Sequence, residues 1–149
     1  MSFDIRLAEH DDAEPIAQLE AEARAALVDA RGGAALLAEQ PAVGDWTSVL
    51  TAVDRTVWVA TIDGTVVGYL ELVNPVSGGA GVVRQVYVHP EAREVGFGDY
   101  LLAAAIEAIQ QMGGTVVESF ALPGDRDTKN LFERAGVTAR KIIVSKRLT

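Results

Sequence analysis

Apolar and polar residues change period several times along this chain, and each change marks an element. FDIRLA near the start alternates as a short strand does, and Asp11 with Glu14 three residues on has the capping-box pattern of a helix start. Pro15 fits a first turn, whose N–H groups have no intrahelical partner. Ile16, Leu19, Ala23 and Leu27 then recur at helical spacing until Arg31-Gly32-Gly33 stops them. Residues 34–53 are rich in Ala and Leu with a break at Pro41-Ala42-Val43-Gly44, which predicts one shorter helix or two half-helices. TVWVATI and TVVGYLELV are β-branched and aromatic runs joined by Asp63-Gly64, a strong short-range hairpin signal.

The second half reads as strand and helix in alternation. NPVSGGAG is a loop by composition, GVVRQVYV a strand, and Leu102, Ala105, Ile106 and Ile109 a helix ending near Met112-Gly113-Gly114. TVVESFA is a strand, PGD a turn, DTKNLFERAG a helix closed by Gly136, and VTARKIIVSKRLT a last strand. The predicted order is β-α-α-β-β-β-α-β-α-β. It implies an α/β (α+β) fold: a mixed, mostly antiparallel sheet of about six strands with helices on both faces. A purely parallel doubly wound sheet is excluded.

Composition narrows the classes. The chain has 149 residues, about one domain's worth, so a single domain over 1–149 is expected. It contains no cysteine, which removes disulfides and thiolate chemistry. The beginning of the chain carries no basic-then-apolar leader and no apolar run reaches membrane-spanning length, so a soluble, cytoplasmic protein is expected. Residues 1–75 hold 13 acidic and 4 basic side chains, whereas 76–149 hold 8 and 9. A polyanionic small molecule would therefore sit better on the second half. Neither a basic face nor an aromatic platform suggests nucleic acid.

The stretch HPEAREVGFGDYLL places Gly96 and Gly98 where a strand runs into a helix. Unpaired N–H groups of a helix start, approached closely through glycine, form an anion site. The dinucleotide fingerprint fails because its third glycine would fall on Leu101, and the P-loop fails for want of Gly-Lys-Ser/Thr. Arg93-Glu94-Val95-Gly96-Phe97-Gly98 does match Gln/Arg-x-x-Gly-x-Gly/Ala. With Val86-Tyr87-Val88-His89-Pro90 before it and Leu101-Leu102 after it, it resembles the cofactor motif of the GNAT superfamily of N-acyltransferases. DTKNLFERAGV resembles the helix that family carries near its C-terminus, usually Asn-x-x-Ala-x-x-Leu-Tyr-Glu-x-x-Gly-Phe.

The resemblance implies a GNAT-like fold and acetyl-CoA or another acyl-CoA as cosubstrate, with no metal. Val86, Tyr87 and Val88 would pair with the pantetheine arm as an added strand does, and the amides from Arg93 and Glu94 through Val95, Gly96, Phe97, Gly98 and Asp99 would surround the pyrophosphate. The chemistry implied is direct attack of a primary amine on the thioester, with a backbone N–H around Val88 at the oxyanion. The partner would be a small-molecule or peptide amine, with neither nucleic acid nor membrane involved and a homodimer allowed. Glu118 is the first candidate for the base and Glu71 the second, each with a plain alternative as a solvent-facing or ion-paired strand carboxylate. The family's usual tyrosine acid aligns with Phe132, which has no proton to give, and Tyr87 is a conceivable substitute. A non-catalytic acyl-CoA-binding module on the same fold, and a glycine turn that merely packs, are the rival readings.

Overall fold

The computed structural model describes residues 1–148. Five strands form one sheet in the spatial order of the chain: β1 (Phe3–Leu7), β2 (Arg55–Ile62), β3 (Thr65–Val73), β4 (Ala80–Val88) and β5 (Val116–Glu118). The first three pairings are antiparallel and β4–β5 is parallel. Between them run α1 (Ala13–Leu27), α2 (Gly33–Glu39), α3 (Trp46–Thr51) and α4 (Phe97–Gln111), and α5 (Arg126–Arg134) follows β5. Among the described residues no helix is long and apolar enough to cross a membrane.

The hairpin forms where Asp63-Gly64 predicts it. Both residues have positive φ, 48° and 83°, which matches the twist of the flanking strands. Helical backbone starts earlier than Asp11–Glu14 suggests, with the capping box at Glu9 and Asp12. A 3₁₀ turn over His10–Asp12 precedes α1, and the Asp12 carboxylate accepts the Glu9 N–H at 2.7 Å and a two-pronged contact from Arg6 at 2.7 and 3.0 Å. The region after α1 resolves into two half-helices, α2 and α3, on either side of the Pro41–Gly44 break.

Strand alternation divides β3 between two layers. Leu70 and Leu72 enter an apolar layer with Val83, Leu101, Leu102 and Ala105, beneath α4 and α5. Tyr69 enters the other layer with Ile16, Leu19, Trp46 and Val59, beneath α1 and α3. Helices thus cover both faces, as expected.

Among the described residues the expected sixth strand is absent. Residues 137–148 form no helix or strand, and Ile142, Ile143 and Val144 are exposed; Thr149, the end of that predicted strand, lies outside the described residues. β-branched composition favours a strand but supplies no neighbour to pair with. β5 is likewise shorter than TVVESFA suggests, because its pairing with β4 stops at Val82 and Glu118.

Candidate functional site

That early stop opens a fork. Beyond Val82 and Glu118 the two parallel strands no longer pair, and the Ser119 hydroxyl donates to the Val83 carbonyl at 2.7 Å at the fork's base. The rest of β4 lacks a strand partner on that side. The cleft above it is walled by α1 and α2 on one side, by the Phe120–Leu122 stretch and α5 on the other, and floored by Tyr69, Arg84, Gln85, Val86 and Tyr87.

The end of β4 leads into the glycine turn. Pro90–Val95 form a 3₁₀ turn that the sequence pattern does not announce, and α4 begins at Phe97. Gly96 has φ +88°, a conformation that side-chain-bearing residues adopt only with strain. Gly98 is not strained; a Cβ there would meet Leu131 of α5 at ordinary contact distance, 3.5 Å. The N–H groups of Phe97, Gly98 and Asp99, in the first turn of α4, have no carbonyl one turn back to bond. Arg93 donates through Nε to the Val88 carbonyl at 3.0 Å and sits over the Tyr87 ring at 5.6 Å. Of the flanking acids, Asp99 accepts from Arg134 Nε at 2.9 Å.

The cleft floor holds a buried polar network. Glu20 of α1, 4% exposed, accepts the Trp46 indole N–H at 3.2 Å, the Val43 N–H at 3.1 Å and Gln85 Nε2 at 3.1 Å. Gln85 Nε2 also donates to Glu71 at 3.0 Å, and its carbonyl accepts the Tyr69 hydroxyl at 2.7 Å. The two carboxylates, which can only accept, draw the NH2 end of Gln85, and this leaves its carbonyl to the Tyr69 hydroxyl. Burial, with Glu20 and Glu71 close by, pushes the Tyr69 phenol far above its ordinary range. Burial first and Glu22 second raise Tyr87, against the opposing pull of Arg93. Both phenols are protonated at neutral pH. No buried side-chain polar atom among the described residues lacks a partner.

The structure gathers the sequence candidates unevenly. Tyr87 and Val86 line the cleft, and the 93–99 turn follows directly from their strand. Glu71 is 1% exposed beneath the floor, between Gln85 and Arg55. Glu118, the first choice for a base, does not line the cleft. Its side chain is 40% exposed and paired with Arg140 at 2.6 Å, the plain ion-pair role. Phe132 is buried in the apolar layer beneath α5. Sequence reasoning missed Glu20 and Gln85, although a signal was present: Glu20 falls four residues after Ile16, on the helix's apolar stripe.

No curated protein matches the chain in sequence. Solved structures similar to it include a ribosomal-protein-alanine N-acetyltransferase from Brucella melitensis biovar Abortus 2308, at 22% identity and TM-score 0.73, covering 99% of this chain and 100% of that one. The aminoglycoside acetyltransferase AAC(6')-Iy, bound to a bisubstrate analogue of CoA and an acetylated neamine, is 18% identical with TM-score 0.73, covering 100% and 99%. A mutant protein from Bacillus halodurans reaches TM-score 0.81 at 18% identity, covering 98% and 99%. Identities this low establish a shared fold. The sequence profile of the acetyltransferase (GNAT) family, whose enzymes use acetyl-CoA as cosubstrate, matches residues 15–137, and the chain belongs to that family.

Proposed function

We propose that this chain, as a single domain over 1–149, moves an acetyl group from acetyl-CoA to a primary amine seated in the cleft between α1, α2 and the β4–β5 fork. The observation that carries the reading is the fork: strand backbone free of a partner, leading into an unpaired helix start. In this reading the pantetheine arm adds alongside Val86, Tyr87 and Val88 as a strand would. The pyrophosphate rests against the turn formed by Arg93, Glu94, Val95, Gly96, Phe97, Gly98 and Asp99.

Two carboxylates line the cleft, Glu20 and Asp125; Asp125 is engaged in capping α5 through Thr128, so we assign Glu20, rather than Glu118, the proton of the incoming ammonium. The neutral nitrogen then attacks the thioester carbon, and the oxyanion is met by a backbone N–H near Val88. Collapse breaks the C–S bond, the departing CoA thiolate takes a proton from a phenol, and the new amide nitrogen gives up its second proton, which restores that phenol. Tyr87 is the phenol available for that step, since Phe132 has nothing to donate and lies in the core.

Release of CoA thiol across an amine panel tests this directly. Thermal stabilisation by acetyl-CoA, about 2.7 kcal/mol at 100 times its dissociation constant, is expected alongside turnover. Stabilisation without turnover on any amine supports instead a non-catalytic acyl-CoA-binding module, the reading that Phe132 favours. Gly98→Asp adds a carboxylate beside the unpaired amides and is expected to weaken acetyl-CoA binding more than tenfold. Unchanged affinity removes the turn from the cofactor site.

A further inference from the structure

The β4 strand carries one residue more than its partner. Glu71 faces Gln85 and Leu72 faces Val83, so Arg84 stands in a bulge opposite no residue of β3. A bulge re-aims the side chain it carries, and Arg84 lines the cleft floor beside Gln85.

Its charge is matched only loosely, by an ion pair without a hydrogen bond. The nearest carboxylate oxygen, Glu71 Oε1, is 3.9 Å from Arg84 Nε, beyond hydrogen-bond reach. Glu71 is already engaged by Gln85 at 3.0 Å and by Arg55 Nε at 3.4 Å. Among the described residues the Arg84 guanidinium donates no hydrogen bond, although its side chain is only 32% exposed. The other arginine of the cleft, Arg24, is different. It donates to the carbonyls of Gln40 at 2.6 Å and Leu37 at 3.2 Å, and so anchors α2.

An arginine fork that is two-thirds withdrawn from water and lacks a hydrogen-bonding carboxylate fits a planar anion presenting two oxygens. Glu20 lies in the same cleft, with Gln85 alone bridging it to the Glu71 that neighbours Arg84. A ligand spanning Glu20 and Arg84 presents an ammonium at one end and a carboxylate a few bonds away. The walls beside them, Leu27, Leu36, Leu37, Phe120 and Leu122, are apolar.

From this juxtaposition we infer that the acyl acceptor is a free amino acid with an apolar side chain, and that Arg84 determines specificity by holding its carboxylate. The inference rests on the reading of this cleft as the acceptor site. Binding to the protein–CoA complex is measured by calorimetry with leucine, methionine and phenylalanine, each beside its amide, which keeps the amine and loses the charge. At least one free acid is expected to bind, with its amide roughly 10- to 100-fold weaker. Arg84→Gln is expected to erase that difference, and to raise KM for the acid far more than it lowers kcat, while acetyl-CoA affinity and melting temperature stay near the parent's. Arg84→Lys, which keeps the charge without the fork, is expected to recover only part of the loss. Amides that bind as well as acids, an Arg84→Gln affinity within twofold of the parent, or no binding by any of the acids while CoA binds normally overturns the inference and leaves the transferase reading standing. Loss of CoA binding by the parent protein itself counts against that underlying reading and removes the inference with it.

Discussion

The two faces of the sheet are built from alternate residues of the same strands and do opposite things. Beneath α4 the contacts are wholly apolar: Leu70, Leu72, Val83, Leu101, Leu102 and Ala105 are buried together. Beneath α1 and α3 the apolar layer of Ile16, Leu19, Trp46 and Val59 surrounds two buried carboxylates, Glu20 and Glu71, with Tyr69 and Gln85 between them. Burying a charge is costly unless donors meet it, and Glu20 has three. One face therefore supplies stability, and the other holds polar groups in fixed positions at the edge of an open cleft. A single strand serves both because neighbouring side chains point to opposite sides, as Leu70 and Glu71 do in β3.

Substitutions on the two faces are expected to separate rate from stability. Glu20→Gln removes the proposed proton acceptor and is expected to lower kcat/KM by roughly 10²–10⁴-fold, whereas Glu118→Gln, at the exposed end of β5, is expected to stay within twofold. Equal losses from the two variants in the CoA-release assay would break the assignment of the base to the α1 face. Leu102→Ala, in the apolar layer, is expected to cost about 2–5 kcal/mol in denaturant unfolding while the surviving folded protein retains the parent's kcat.

Between these stands the link from β1 to α1. Arg6 holds the Asp12 carboxylate below its ordinary range by direct hydrogen bonds, against the opposing effect of burial. A carboxylate with its folded-state pKa lowered contributes stability that is present above its unfolded value of 3.8 and is lost as the pH falls below it. Asp12→Asn is expected to cost about 2 kcal/mol at pH 7, and the difference from the parent is expected to shrink on acidification below that value. A gap that stays constant with pH would show that the charge is not the cause. The smallest effect belongs to the turn: Gly96→Ala, forced into positive φ, is expected to cost about 1 kcal/mol, measured as a lowered melting temperature.

Elements governed by short-range chemistry were legible in the chain. The Asp63-Gly64 hairpin, the α4 stripe of Leu102, Ala105 and Ile109, and the glycine turn that pointed to the family all depend on residues within a few positions of one another. The proposed base was not legible, because its candidacy depends on which carboxylate faces the cleft. Glu118 looked suitable by strand position, yet Arg140, twenty-two residues later, claims its side chain. Glu20 and Gln85 are separated by 65 residues and meet only when α1 lies across β4.

The sequence by itself determined the periodicities, the turn chemistry and the family motif, since backbone sterics and side-chain spacing act locally. Tertiary structure alone decided the early parting of β4 from β5, the bulge that presents Arg84, and the unpaired state of 137–148 despite its strand-like composition. A strand's existence depends on a neighbour to bond, and a carboxylate's role on what surrounds it. Both are set by contacts between distant parts of the chain, which no local pattern encodes.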